Sequence, residues 1–265
     1  MLSEINLPSE SKKHFATLPF WLSLLASFSC AAVVGVIVEK TIIRKLYNRD
    51  HLDQVLVTFA LILFFSELIR WIFGAFPLYL DVPKILNGSI EIFGGIYYSK
   101  YRLFIIFLGL IIATFLFFLI GKTNLGIQIR AGQYDREMIS ALGVNISKLY
   151  TLLFGIGAAL AGLAGALIGT IQSVEVGMGE PILILAFVII VIGGIGSIKG
   201  ALIASLLVGL VDTLGRFLIP WVLQTITNPS DAMSIGSAIG SMLIYILMAI
   251  ILILRPTGLY GKKLS

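Results

Sequence analysis

The sequence predicts an all-α, polytopic transmembrane helical bundle, and three observations predict it. The 265 residues are 58% hydrophobic and only 12% charged, with a mean hydropathy of +1.02. Soluble domains carry about 25% charged residues, so a water-soluble reading would leave a core with almost no surface to cover it. The apolar residues fall in runs near the ~20-residue length that crosses the hydrocarbon of a bilayer. The basic residues sit in the loops between those runs, where they anchor against anionic lipid.

The chain begins with a polar segment, 1–16, that holds three Ser, two Glu and two Lys. It lacks the short apolar core and small-residue cleavage site of a signal peptide. The transmembrane domain is expected over 17–254, and a short tail over 255–265. Its runs are 17–38, 54–73, 103–120, 150–171, 181–195, 200–214 and 235–254, about seven spans. The fifth and sixth are short, and the glycine-rich stretch 193–200 between them suits no continuous helix. This predicts two short or broken helices around 181–214, joined either by a tight turn or by irregular backbone. Such backbone is tolerated at membrane depth only inside protein or beside a water-filled path.

The distribution of Lys and Arg sets the expected orientation. Placing the 39–53 loop inside puts Lys40, Arg44, Lys45, Arg49, Lys122, Arg130, Arg136, Lys148, Lys199, Arg255, Lys262 and Lys263 on the cytoplasmic side. Lys12, Lys13, Lys84, Lys100, Arg102 and Arg216 then lie outside, about half as many, in accord with the positive-inside rule. The 121–149 loop is thereby cytoplasmic and the N-terminus external.

That loop contains the most informative feature of the chain, Asp135-Arg136-Glu137-Met138-Ile139-Ser140-Ala141-Leu142-Gly143. Asp135 can cap the amides that follow, Glu137 suits the positive end of a helix dipole, and Gly143 supplies a left-handed stop. Met138, Ala141 and Leu142 fall on one side. A helix lying on lipid headgroups has the same pattern, and so does one built to receive a push from a soluble partner.

The run Glu137 to Gly143 resembles the coupling loop of ABC importer permeases. The wider run, from Arg130-Ala131 through Asp135 to Val144-Asn145, is similar to the branched-chain amino acid permease family. So are Ala161-Gly162-Leu163-Ala164-Gly165-Ala166-Leu167, Gly193-Gly194-Ile195-Gly196-Ser197 with Gly200-Ala201, and Arg255-Pro256-Thr257-Gly258-Leu259-Tyr260-Gly261. The stretch Glu39, Ile43-Arg44, Leu52-Asp53-Gln54-Val55 and Thr58 resembles the LivH-type subunit. Members usually begin with further apolar spans and a loop near Asn-Phe-Ala-His-Gly; this sequence opens instead with the polar 1–16 segment and reaches the family pattern around its first span. The resemblance implies a permease subunit in the bacterial inner membrane that works with a second permease, ABC ATPase subunits and a periplasmic substrate-binding protein. It implies that Asp135, Arg136, Glu137, Met138, Ala141, Leu142 and Gly143 transmit ATPase closure. ATP and Mg would be bound by the ATPase, with no cofactor in this chain. Branched-chain or other neutral amino acids are the implied substrates.

Other features have two readings each. Ala158, Gly162, Gly165 and Gly169 form one stripe that lets a helix approach closely, inside this subunit or at a permease–permease interface. Gly236 and Gly240, with Ser237 and Ser241, make a second, weaker face. Glu67 and Arg70 lie three apart within a span, where charges usually face protein or water; a structural ion pair and a place on the substrate path are both open. Gly193, Gly194, Gly196, Ser197 and Gly200 form a tight turn or broken backbone on the translocation path. Cys30 has no disulfide partner, and His14 and His51 have no Cys or His cluster beside them, so no metal site is expected. The net charge of +5 and pI near 9.3 reflect lipid anchoring, and nucleic acid is not an expected partner. Gly121-Lys122-Thr123 mimics the end of a phosphate-binding loop, but Leu116 stands where that motif needs glycine. No Ser/His/Asp grouping is legible, so the chain is not expected to be an enzyme. The rival reading is a channel or secondary transporter for a small polar solute such as urea or an amide; no clear repeat supports it.

Overall fold

The computed structural model describes residues 20–47, 49–93, 95–134, 136–194, 196–225 and 228–261. The polar start of the chain and the last residues of the tail lie outside that range. Among the described residues six helices are long and apolar enough to cross a membrane, and a shorter apolar helix accompanies them. The chain is a multi-pass helical membrane protein. Its helices form two compact units, Met1–Leu110 with Arg136–Gly177, and Ile111–Asp135 with Met178–Ser265.

The first unit is built on two helices that pack along their lengths. Helix α1 (Phe20–Val38) runs through a π-helical turn at Glu39–Ile43 into the short α2 (Arg44–Leu46). Its partner is α7 (Ile146–Ile168). Between helices in a membrane the drive is close packing rather than hydrophobic exclusion, and small residues supply it. A Cβ on Gly35 would strike the Ala158 side chain, and one on Gly155 would lie 2.9 Å from Val36. At Gly162 an added Cβ would collide with Ala31 and come within 2.9 Å of the Ser27 carbonyl. Ser27 in turn donates to the Gly162 carbonyl at 2.7 Å. Ala158 and Gly162 therefore serve the contact with α1, and Gly169 sits against Val174 and Leu80. Gly165, in the same stripe, has open space over it.

Helix α3 (His51–Phe73) follows, then a β-hairpin that the sequence reading did not anticipate. Its strands β1 (Ser89–Phe93) and β2 (Ile96–Ser99) pair antiparallel, with a bulge between Glu91 and Phe93. Gly95, at φ +91°, donates to the Glu91 carboxylate at 2.9 Å. Helix α4 (Lys100–Lys122) starts directly after it, and its Tyr101 hydroxyl donates to the Leu167 carbonyl at 2.9 Å. Phe20, Trp21, Tyr101 and Phe104 meet edge to face at that end of the pair. Such an aromatic cluster suits a membrane–water interface.

The second unit holds the end of α4, α5 (Asn124–Tyr134), α8 (Glu180–Gly193), α9 (Ile198–Leu223) and α10 (Pro229–Leu254). Val188, Ile192, Ala204, Val208 and Ile244 form its core. Helix α8 is short, as expected. Helix α9 is not: the run expected to end at 214 continues to Leu223. The apolar count stopped at Arg216, but that guanidinium pairs with Asp212 one turn back at 2.6 Å, so the helix carries the charge without breaking. Gly236 and Gly240 pack on α9, at Pro220 and at Gly215–Arg216 respectively. Their spacing therefore has a partner within this unit.

The α1–α7 contact gives a direct prediction. Gly162→Leu overpacks it and lowers stability by about 1–3 kcal/mol, a drop of several degrees in a detergent melting curve. Gly165→Ala, with nothing above it, should instead hold or raise the melting temperature, by up to about 2–4 °C, because alanine is about 1 kcal/mol better than glycine inside a helix.

Candidate functional site

The loop between the long helices α4 and α7 carries the predicted coupling residues. It starts with a tight reversal: Arg130 on α5 donates to the Ile120 carbonyl at the end of α4, and Thr123 donates to that of Leu119. Basic side chains are favourable at a helix C-terminus, where carbonyls lack partners. Helix α6 (Arg136–Ala141) follows. Asp135, predicted as its cap, lies outside the described residues, as do the side chains of Arg136 and Glu137.

The rest of α6 is well defined. Ile139 is buried, whereas Met138 and Leu142 are 63% and 76% exposed and Ala141 is exposed beside them. The helix thus rests on Ile139 and turns an apolar edge outward. Gly143 ends it at φ +87°, with its N–H to Ser140 and the Val144 N–H to Ile139. These bonds satisfy carbonyls that the helix end would leave bare. Two residues later Asn145 accepts from the Lys148 N–H at 3.0 Å and caps α7. The loop helix is consequently joined to a membrane-spanning helix by a short turn with hydrogen bonds on both sides.

One turn into α7 lies a cluster that the sequence reading did not place in the site. Glu39 is fully buried, which for a carboxylate demands partners. Thr151 donates to it at 2.7 Å and Arg44 at 3.2 Å, while Arg44 also donates to the Thr151 hydroxyl at 2.6 Å. Tyr47 adds a long contact at 3.5 Å and stacks edge to face on Tyr150. Burial, and secondarily the Glu39 charge, push the Tyr47 phenol above its ordinary value of 10.0. The cluster therefore holds Tyr47 neutral, and its contribution is lost only as pH rises through that raised value. The π-helical turn at Glu39–Ile43 places Glu39 and Arg44 five residues apart and in contact. Single π turns inside helices are frequent at functional sites.

The glycine stretch also acquires a definite partner. Gly194 and Gly196 take φ of +93° and +82° between α8 and α9, and Ser197 caps α9 by accepting from the Gly200 N–H at 3.0 Å. Gly193 and Gly200 lie backbone to backbone. The tail segment then folds over this turn: Leu259 donates to the Ile192 carbonyl at 2.8 Å and Tyr260 to that of Gly193 at 3.1 Å. Any Cβ on Gly194 would enter the backbone of Thr257 and Gly261, and one on Gly258 would come within 2.6 Å of Gly194. Two motifs far apart in sequence are thus halves of one clasp. Lys199 extends from it over the Phe117 ring, 5.8 Å from the centroid.

Glu67 and Arg70 form an ion pair at 3.1 Å on α3, with both side chains more than half exposed. The loop helix α6, the buried carboxylate and the glycine clasp are thus all joined to apolar helices. A sequence profile described as the branched-chain amino acid transport system permease component matches residues 5–252. The chain belongs to this family.

Among its permease relatives is the high-affinity branched-chain amino acid transport system permease protein BraD of Pseudomonas aeruginosa, 28% identical over 251 residues. That match covers 91% of this chain and 76% of BraD. LivH of Escherichia coli K12 is 27% identical over 253 residues, 91% of this chain and 76% of LivH. A probable LivH permease of Methanocaldococcus jannaschii is 26% identical over 265 residues, covering 96% and 79%. No solved structure matches the chain.

Glu39 was legible in sequence as a charge at the end of an apolar run and as part of the LivH-like stretch, with no partner indicated. Nothing local announced that Thr151, 112 residues away, would meet it. Removing its charge with Glu39→Gln destabilises the permease by about 2–3 kcal/mol, less than a wholly buried pair because Arg44 is 39% exposed. In a double-mutant cycle of thermal stability, Glu39→Gln and Thr151→Val are non-additive by at least about 0.5 kcal/mol. Additive losses would show that the contact carries no energy.

The clasp predicts a contrast between two glycines of similar φ. Gly194→Ala meets both an unfavourable backbone conformation and a clash, whereas Gly74→Ala, at φ +85° with open space, meets only the first. Melting curves should show Gly194→Ala as the more damaging by about 1–3 kcal/mol.

Proposed function

We propose that this chain is the transmembrane permease subunit of an ATP-driven importer, and that α6 is its contact with the ATPase. The observation that carries the reading is the outward apolar edge of α6, Met138 and Leu142, on a helix anchored by Ile139 and joined to α7 through capped ends. A short helix moves as a rigid body because its hydrogen bonds are internal, so pressure on that edge is delivered to α7. Apolar surface kept in water costs about 25 cal/mol per Å², which favours a partner that covers it.

The chemistry of transport then divides between chains. ATP and Mg are bound by the ATPase, and differential affinity of ATP for two permease states supplies the bias between outward- and inward-facing forms. This chain, with a second permease, forms the path, and a periplasmic binding protein delivers the substrate. The names of the relatives support branched-chain amino acids as cargo, and a permease driven by an ATPase in the cytoplasm belongs in the cytoplasmic membrane.

The test is a tagged pull-down from gently solubilised native membranes, comparing wild type with Glu137→Arg/Gly143→Asp. Wild type should bring down an ATPase and a second permease. The variant should lose the ATPase alone, together with ATP-dependent uptake of labelled leucine. An ATPase retained by the variant would remove α6 from the coupling path. A chain that comes down alone and conducts without ATP would instead be a channel or a carrier.

A further inference from the structure

At the more basic end of the α1–α7 pair lies an open trough of about 550 Å³. Its floor is apolar, formed by Ala32 and Val36 of α1 and by Leu152 and Ile156 of α7. Its mouth is cationic, formed by Lys40, Arg44 and Lys148. Arg44 is committed to Glu39. Lys40 and Lys148 have no acidic partner among the described residues, and both are exposed. The mouth therefore presents two uncompensated charges, beside the positive end of the α7 dipole.

We infer that this trough binds an anionic phospholipid, with an acyl chain along the floor and the phosphate between Lys40 and Lys148. The placement argues for that occupant over others. Both helices span the membrane, so acyl chains are the solvent of an open apolar trough between them, and the mouth lies at the helix ends, where headgroups are. Basic pockets between membrane helices on the cytoplasmic side are suited to phosphate-bearing headgroups. A zwitterionic amino acid brings no net charge to satisfy two lysines, and a protein helix would have to carry acids at that depth. The site is also adjacent to the Glu39 cluster, since Arg44 and Thr151 belong to both. A bound lipid would thus brace the two helices where they are joined. The inference does not rest on the coupling reading.

The test uses the full chain in whatever complex it purifies with, in detergent. Binding is titrated by native mass spectrometry with phosphatidylglycerol and, separately, phosphatidylcholine. Lys40→Gln and Lys148→Gln should each weaken phosphatidylglycerol binding about fivefold, and the pair about thirtyfold, with phosphatidylcholine unaffected. Ala32→Phe, which fills the floor and keeps both charges, should weaken it as well. A short-chain dihexanoyl phosphatidylglycerol should bind far less than the long-chain lipid. Equal binding of the two headgroup classes, or indifference to the lysine changes, would overturn the site. So would a photocrosslinker at Ala32 that captures polypeptide instead of lipid. Folding of each variant is checked by its melting temperature in phosphatidylcholine, and the single lysine variants, being exposed, keep the test decisive if the floor variant is damaged.

Discussion

The buried carboxylate of Glu39 is the constraint around which the first unit is organised. A charge withdrawn from water must be paired and hydrogen-bonded, and the only way to do so here is to bring α1, α2 and α7 together at one point. Thr151 and Arg44 meet on Glu39, and Tyr47 closes over it. That point fixes the register of α7 against α1, so the small residues farther along, Gly35 on Ala158 and Gly162 on Ala31, arrive opposite one another. A slip of one residue in either helix would break the polar cluster and drive side chains into backbone. The same point lies one turn from the Asn145 cap and hence from α6. On the coupling reading, a displacement of α6 passes into α7 and then, through a short polar contact, into α1.

Glycine does elsewhere what Glu39 does here by charge. In lipid, helices gain little from hiding apolar surface, because the surroundings are equally apolar. Association then depends on how many atoms can touch, and a glycine removes the side chain that would hold backbones apart. Gly35, Gly155 and Gly162 are used in that way at α1–α7, Gly236 and Gly240 at α9–α10, and four more in the clasp of the tail over the α8–α9 turn. In the clasp the backbones interleave so closely that Gly193, Gly194, Gly200 and Gly258 each exclude a Cβ. The tail is therefore part of the second unit's core, and Leu259 packs against it directly.

What the sequence made legible was whatever depends on local composition. Span lengths follow from apolar runs, and α6 was readable because its stop signal, Gly143, is adjacent to it. The stripe containing Ala158 and Gly162 was readable as a packing face, though not its partner, which is α1 and not another subunit for those two residues. Features with distant partners were hidden. Arg216 lies beyond the expected 200–214 run as a bare charge, and only the fold shows it paired with Asp212. Glu39 was legible as part of a family-like stretch, but its partner was not, because Thr151 is remote in sequence. The hairpin at Ser89–Ser99 lies in a loop whose only local signals are glycines and β-formers such as Ile96, Tyr97 and Tyr98. The clasp joins two motifs that the sequence shows separately, and only the fold shows as one object.

Exposed apolar surface has two physical meanings in this molecule, and separating them sharpens the functional reading. Trp71 at 85% and Phe115 at 60% exposure lie on membrane-crossing helices, where lipid is a good solvent and exposure costs nothing. Met138 and Leu142 are as exposed, but they follow Arg136 and Glu137 on a helix far too short to span, between polar segments that belong in water. There the same exposure is unfavourable unless something covers it. The burial of Ile139 turns Met138 and Leu142 away from the protein, so within the described residues nothing of this chain provides that cover. On the proposed coupling reading the cover is a soluble partner with an apolar groove, and docking gains from the apolar area it removes from water before any ATP is considered.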